Sequence, residues 1–357
     1  MENPLELLGW DARWAQSFAP HAMEGFAPGR IAREDRDQYL VLTAAGETTA
    51  RMSGRLRRDA QAGDLRPAVG DWVAVRLPPA AGTALIQAVM ERRSRFVRKA
   101  VRGGGPAYGE GRTEEQVMAA NIDTAFLVSG LNEDFNPRRI ERYLAATWDG
   151  GARPVILLNK SDLCPQAAAR RAEVSALAPG VAVHALSAAT AEGLEALEPY
   201  LHPGRTIVFL GSSGVGKSSL INRLLDSARQ EVLPVREYDG RGRHATTARE
   251  LLRLPRGAML IDTPGLRELR LWDEGDGLQR AFDDIDEFAT RCRFRDCRHD
   301  GEPGCAVRQA IDDGALDPLR LVNYLKLRRE QDVLAVRRSQ RARMTFGPGG
   351  KRLPRRG

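Results

Sequence analysis

Over the first third of the chain, apolar and polar residues alternate in short runs broken by turns. Residues 38–42, 48–52, 71–75 and 84–89 each read this way, with Gly46, Gly54, Gly63 and Gly82 in or near the breaks. Successive side chains of a strand point to opposite faces, so a period of two marks a strand with one buried face. Several such strands at close spacing predict a small barrel or sandwich over residues 30–103. A barrel of that length with excess arginine is compatible with an OB-fold. The preceding residues 1–29 carry Trp10, Trp14, Phe18 and Phe26, which suit packing onto the barrel.

The glycine-rich stretch 104–114 reads as a linker, because so many glycines resist regular structure. Beyond it the pattern changes. Apolar runs at 124–128, 155–158, 181–186 and 206–210 alternate with helical segments near 137–148, 166–178 and 192–200. Continuous apolar strands between helices predict a doubly wound, largely parallel α/β sheet over 115–273. From 274 the pattern is helical except around the cysteines, with Asp317-Pro318 placed to cap a helix. A helical region over 274–343 and a tail over 344–357 complete the organisation, and no internal repeat is present.

The candidate chemistry falls at strand ends. Gly211-Ser212-Ser213-Gly214-Val215-Gly216-Lys217-Ser218-Ser219 follows a strand and opens a helix, the setting of a phosphate-binding P-loop. Its backbone N–H groups and the helix N-terminus suit phosphate, Lys217 the β- and γ-phosphates, and the Ser218 hydroxyl Mg²⁺. Asn159-Lys160-Ser161-Asp162 suits guanine. The Asp162 carboxylate can accept from both N1–H and the exocyclic amine, a donor pair adenine lacks. Asn159 steadies that loop, the Lys160 stem covers the base, and Ser187-Ala188 offers a backbone N–H to the guanine carbonyl. Asp262-Thr263-Pro264-Gly265 ends a strand, with Asp262 placed to hold Mg²⁺ through water and the Gly265 N–H to meet the γ-phosphate. Thr246 or Thr247 would complete the metal shell. Leu266 stands where Ras-type enzymes carry a water-orienting glutamine, so slow intrinsic hydrolysis is expected. His244 is the nearest polar substitute, the alternative being an exposed histidine in a loop.

The motif order reverses the ordinary one: the guanine-reading motifs precede the phosphate-reading ones, as in a circularly permuted domain. Domain termini usually lie close together at the surface, so such permutation is physically easy. An intact Asp162 motif makes a kinase the weakest reading.

Charge adds a partner class. Residues 30–103 hold 15 Lys/Arg against 8 Asp/Glu, residues 337–357 hold 8 against none, and 115–273 hold 19 of each. Excess positive charge thus flanks a balanced centre, either as solvated faces or as contacts to an extended polyanion. The N-terminus lacks the basic start and apolar run of a signal peptide, and no apolar stretch approaches the roughly 20 residues that span a bilayer. A cytoplasmic monomer without membrane contact is expected.

Cys292, Cys297, His299 and Cys305 fall within 14 residues. Three thiolates and one imidazole at that spacing suit a closed tetrahedral zinc site, structural because no coordination position stays open. A disulfide is a poor alternative for three thiols in a cytosolic chain. Cys164 reads as a small packed hydrophobe.

The permuted motifs, the barrel-like segment with Val69-Gly70-Asp71-Trp72-Val73, Ala119-Ala120-Asn121-Ile122-Asp123 and Phe294-Arg295-Asp296-Cys297-Arg298-His299 resemble the bacterial ribosome small-subunit-dependent GTPase A family. The resemblance covers nearly the whole chain. It implies an N-terminal OB-fold barrel, a central circularly permuted P-loop GTPase and a C-terminal α-helical zinc-binding domain. It also implies GTP/GDP, Mg²⁺ and one Zn²⁺ as cofactors, the small (30S) ribosomal subunit and its 16S rRNA as partner, and hydrolysis stimulated by that particle late in its assembly. A nucleotide-gated RNA-binding module, with hydrolysis incidental, is the alternative.

Overall fold

The structure is a computed structural model describing residues 4–35, 37–60, 65–79, 82–102, 112–226, 249–262 and 277–345. His244, Thr246, Thr247, Gly265, most of the glycine-rich stretch and the last twelve residues of the tail lie outside the described residues. The chain divides into two compact units. The first holds Met1–Phe135 and Gly150–Leu269, the second Asn136–Asp149 and Arg270–Gly357.

The first unit begins with helix α1 (Ala12–Met23). Asp11 caps it by accepting the Trp14 N–H at 2.9 Å, and Trp14 and Phe18, one turn apart, are buried on one face. They pack with Leu5, Trp72, Ala74 and Met90. Burying each such ring is worth about 1.5–3 kcal/mol, which is how the aromatics of 1–29 hold to the barrel.

Strands β1 (Ala27–Asp35), β2 (Gln38–Thr43), β3 (Gly46–Met52), β4 (Trp72–Arg76) and β5 (Ala84–Val89) form the barrel, with helix α2 (Gly54–Ala60) after β3. Neighbours run β1-β2-β3-β5-β4, and β4 pairs back onto β1, closing the circle. The β3–β5 pairing is parallel and the others are antiparallel. That is the five-stranded Greek-key connectivity of an OB-fold. Ile31, Tyr39, Val41, Val73, Val75 and Ile86 fill its core.

Strands β6 (Arg95–Arg102) and β7 (Arg112–Ala120) form a separate antiparallel pair. This differs from the sequence expectation, which ended the barrel at 103 and assigned 104–114 to a linker; residues 112–114 are strand. The cause is pairing. Neither β6 nor β7 alternates in sequence, and they become strands by satisfying each other's backbone groups.

The α/β sheet follows: β8 (Thr124–Gly130), β9 (Arg153–Asn159), α4 (Ala167–Leu177), β10 (Val183–Ala185), β11 (Thr206–Leu210), α5 (Lys217–Asp226), β12 (Glu250–Arg253) and β13 (Met259–Asp262). Helix α3 (Pro137–Asp149) lies between β8 and β9 in sequence. The order β10-β9-β8-β11-β13-β12 is parallel except for β12, which is antiparallel to β13. The segment expected as a helix near 192–200 is a 3-10 helix, Leu194–Tyr200. Gly193 enters it with φ +77° and Pro199 supplies no N–H, so an α-helical ladder cannot form there.

Barrel and α/β sheet are continuous through an antiparallel contact of β1 with β12 at Arg33 and Glu250, and a buried guanidinium braces the junction. Arg30, 2% exposed, donates to Gly70 O at 3.3 Å, Asn121 O at 3.3 Å, Thr206 Oγ1 at 2.7 Å and Leu8 O. Burial lowers its pKa to about 10, and Trp72 packs beneath it. Next to it the fully buried Asp71 carboxylate takes two 2.8 Å bonds from Arg92 and one from the Ala68 N–H. Asp71→Ala leaves the buried Arg92 charge without its carboxylate, and is expected to cost about 3–5 kcal/mol in chemical denaturation. A loss below about 1 kcal/mol would show the pair to be dispensable.

The second unit contains α3, α6 (Gly277–Ala281), α7 (Asp283–Ala289), α8 (Ala306–Asp312) and α9 (Pro318–Thr345). Asp317 Oδ1 accepts the Leu319 N–H at 2.9 Å, the cap expected for α9. At the centre lies Glu141 of α3, fully buried. It accepts from Arg320 at 2.5 Å, Asn323 at 2.7 Å and Arg138 at 2.9 Å, and Arg320 continues to Asp284 through two 2.7 Å bonds. Among the described residues no helix is long and apolar enough to cross a membrane.

Candidate functional site

Parallel strands present their carboxyl ends on one edge, where open α/β sheets bind ligands. There β9 delivers Asn159, β10 leads to Ser187, β11 to Gly211 and β13 ends on Asp262. The four motifs are far apart in sequence and adjacent in space.

One buried amide joins three of them. Asn159, 2% exposed, donates from Nδ2 to Val215 O at 2.7 Å and accepts the Ala188 N–H on Oδ1 at 2.9 Å. The Asn159 loop, the glycine-rich loop at 211–216 and the Ser187 loop are therefore held in one register. Gly216 is required by this geometry: its φ is +98°, and a Cβ there would lie 2.1 Å from Asn159 Nδ2. A Cβ on Gly211 would lie 2.4 Å from Val128 O of the neighbouring strand.

Lys217 opens α5 and donates from Nζ to Gly211 O at 2.8 Å and Ser212 O at 2.5 Å. Its charge is thus held over the loop that would wrap a phosphate. Lys160 sits in the left-handed region with φ +66°. Non-glycine residues rarely adopt that region, and such positions cluster at ligand sites. Asp162 follows in the 3-10 turn Ser161–Leu163 and is exposed, and the Ser161 N–H bonds Leu186 O at 3.2 Å. Burial raises the Asp262 carboxyl above its ordinary value; a divalent cation beside it would restore the charged form.

The geometry refines one expectation. The Ala188 N–H is taken by Asn159, and among the described residues the next amide, that of Ala189, has no partner. Sequence reading also missed Arg223 on α5, which donates to Ala188 O at 3.0 Å and Ala189 O at 2.7 Å and clamps the loop. An arginine two turns into the P-loop helix carries no local signal; its role depends on a loop more than 30 residues earlier in the chain.

In the second unit, Cys292, Cys297, His299 and Cys305 place their ligand atoms within 4.8 Å of one another. His299 Nδ1 lies 3.7 Å from Cys292 Sγ and 3.4 Å from Cys305 Sγ. The edges of a tetrahedron with Zn–S about 2.3 Å and Zn–N about 2.0 Å are roughly 3.5–3.8 Å, so the two edges to His299 match such a site and the three thiols and one imidazole could hold zinc. Glu302 organises the turn by accepting the Arg298 N–H at 2.9 Å and the Asp300 N–H at 2.8 Å, and His299 adopts φ +62°.

The RsgA GTPase family model matches residues 89–272. A protein of Opitutus terrae named small ribosomal subunit biogenesis GTPase RsgA is 51% identical over 343 residues, covering 93% of this chain and 91% of its own. A protein of the same name from Syntrophotalea carbinolica is 44% identical over 363 residues, covering 98% of each. Among solved structures, YjeQ from Thermotoga maritima aligns with TM-score 0.62 and 26% identity over 86% of this chain and 98% of that one. YloQ, described as a circularly permuted GTPase, aligns with TM-score 0.58 over 87% of this chain and 96% of that one, a likeness of fold.

Proposed function

Since the chain belongs to the RsgA GTPase family, we propose that it hydrolyses GTP on the small ribosomal subunit late in that particle's maturation, and that hydrolysis times its release. The observation that carries this reading is the interlock at Asn159. The loop that would read guanine and the loop that would hold phosphate share one buried amide, an arrangement that serves a guanine nucleotide spanning both. The names of the relatives support the ribosomal part.

In this reading Asp162 selects guanine, with the Ala189 N–H at its carbonyl. Gly211 to Ser219 cradle the phosphates, Lys217 turns from Gly211 O and Ser212 O toward the β- and γ-phosphates, and Ser218, Asp262 and Thr246 or Thr247 serve Mg²⁺. That cation would neutralise charge between the phosphates. The Gly265 N–H meets the γ-phosphate, and His244 supplies the polar contact to water that Leu266 cannot. Zinc on Cys292, Cys297, His299 and Cys305 is structural. The barrel over 30–103 and the basic end of the chain contact 16S rRNA, and the protein acts as a monomer in the cytoplasm.

The test is GTP turnover with and without purified 30S subunits. Slow basal turnover should rise about tenfold or more on the particle, since supplying a missing transition-state group typically yields at least that much. His244→Ala should lower the stimulated rate while GTP affinity stays within twofold. Equal turnover with and without the particle would instead favour a nucleotide-gated RNA-binding module. Equal stimulated rates for His244→Ala and the parent would remove that residue from the reaction.

A further inference from the structure

The turn that gathers the three cysteines and His299 inward also turns other side chains outward. Phe294 lies between Cys292 and Cys297 and is 42% exposed; among the described residues it is the one aromatic among the exposed large apolar side chains. It is held there by backbone, with the Cys297 N–H donating to Phe294 O at 3.3 Å and the Arg293 N–H to Gly304 O at 3.1 Å. The Arg293 guanidinium carbon sits 5.5 Å from the centre of its ring. Arg295 and Arg298 are exposed on the same turn.

The arginines of this turn lack the carboxylate partners that organise the interior of the unit. Elsewhere in the second unit Arg138, Arg142 and Arg320 each meet a carboxylate at 2.9 Å or closer. Among the described residues, Arg293, Arg295 and Arg298 make no ion pair, and one acid, Asp296, lies between them in sequence. An exposed ring costs free energy in water, and clustered like charges repel. A ligand with a flat aromatic face and a polyanionic backbone relieves both. Single-stranded RNA has that chemistry, whereas a duplex hides its base faces in its own stack.

We propose that Phe294, flanked by Arg293, Arg295 and Arg298, is a stacking platform for an unpaired nucleobase of single-stranded RNA, with the guanidinium groups on the adjoining phosphates. The proposal rests on the ribosomal reading above and deepens it by naming the contact.

The probes are a labelled single-stranded oligouridylate and an RNA duplex of equal length, titrated against the full-length metal-loaded protein at fixed salt. Phe294→Ala should weaken oligouridylate binding about tenfold and leave duplex binding and zinc content unchanged. Phe294→Trp should restore binding, because it keeps a π-face. Phe294→Leu should not, although it keeps apolar area. Neutralising Arg293 and Arg295 with glutamine should flatten the salt dependence, which Phe294→Ala should leave alone. An oligonucleotide carrying 4-thiouridine should crosslink within residues 291–298 even if the barrel supplies most of the affinity. Unchanged affinity of Phe294→Ala together with no crosslink on that turn overturns the proposal, as does full restoration by leucine or equal loss for the duplex. Sedimentation of the parent protein with 30S subunits separates the two readings. Particle binding with no effect of Phe294→Ala on the oligonucleotide defeats the platform alone; an oligonucleotide effect without particle binding defeats the ribosomal reading alone.

Discussion

Removing zinc from Cys292, Cys297, His299 and Cys305, by chelation or by Cys297→Ser, is expected to unfold the turn from residue 290 to 305 and leave the first unit folded. Structural zinc in small domains contributes about 10–16 kcal/mol of apparent folding free energy at neutral pH, more than any single packing contact described above. Without the metal the turn keeps only scattered hydrogen bonds, from the Glu302 carboxylate, from the Arg293 N–H to Gly304 O and from Arg308 and Arg328 to the His299 and Arg298 carbonyls, while Cys292 and Cys297 are only half-buried and Arg293 and Phe294 are exposed. Metal analysis should return one zinc per chain. Hydrogen exchange should show protection lost between α7 and α8 after chelation, with protection of β8, β9 and β11 retained. The nucleotide motifs all lie in the other unit, so GTP affinity should stay within about twofold. Normal protection of the turn in metal-free protein would show that its hydrogen bonds suffice.

Asp162→Asn is expected to weaken GTP binding by about two orders of magnitude and to improve binding of xanthosine nucleotides. The carboxylate accepts from two guanine donors at once, and hydrogen bonds to a charged group are worth about 1.5–3 kcal/mol each. Asparagine presents an N–H₂ group that faces one of those donors, while xanthine carries a carbonyl in place of the exocyclic amine. The exposed position of Asp162 in the turn Ser161–Leu163 makes loss of folding a poor explanation for any change. Direct titration with both nucleotides checks the exchange, and unchanged GTP affinity would move base recognition elsewhere. Arg223→Ala offers a graded comparison: it frees the Ala188 and Ala189 carbonyls, so the loop loosens while the Asp162 contact stays.

Much of the site was legible because its chemistry is local. A P-loop needs left-handed or glycine-only backbone at fixed intervals, then a helix that supplies N–H groups. Gly211, Gly214 and Gly216 with positive φ occupy those positions, so a contiguous string of residues announces the geometry. The Cys/His cluster is legible for the same reason, since four such side chains within one turn need no distant partner. The capping of α9 by Asp317 follows the same logic.

Residues whose roles depend on distant partners gave no such signal. Arg30 bonds Thr206 across 176 positions, and Arg320 bonds Glu141 across 179. In sequence each is one charged residue among many, and a charge is normally placed on the surface. The assignment of α3 to the helical unit was equally hidden. Its periodicity shows an amphipathic helix between two strands, but not that Glu141 would be buried with Arg320 and Asn323. The pairing of β6 with β7 escaped notice because, among the described residues, their buried apolar side chains are clustered at one end of each strand and do not alternate.

By itself the sequence determined the permuted order of the motifs, the alternation that makes a barrel followed by an α/β sheet, and the residues that suit guanine, phosphate and zinc. Those properties follow from short-range backbone geometry and from the period of apolar residues, which a linear string carries in full. Only the tertiary structure decided that Asn159 locks three loops together and takes the Ala188 amide, that Arg30 is buried where β1 meets the α/β sheet, and that Phe294 faces solvent among arginines without ion pairs. Each depends on which distant groups satisfy a buried polar atom or leave one exposed, and such pairings exist only once the chain has closed on itself.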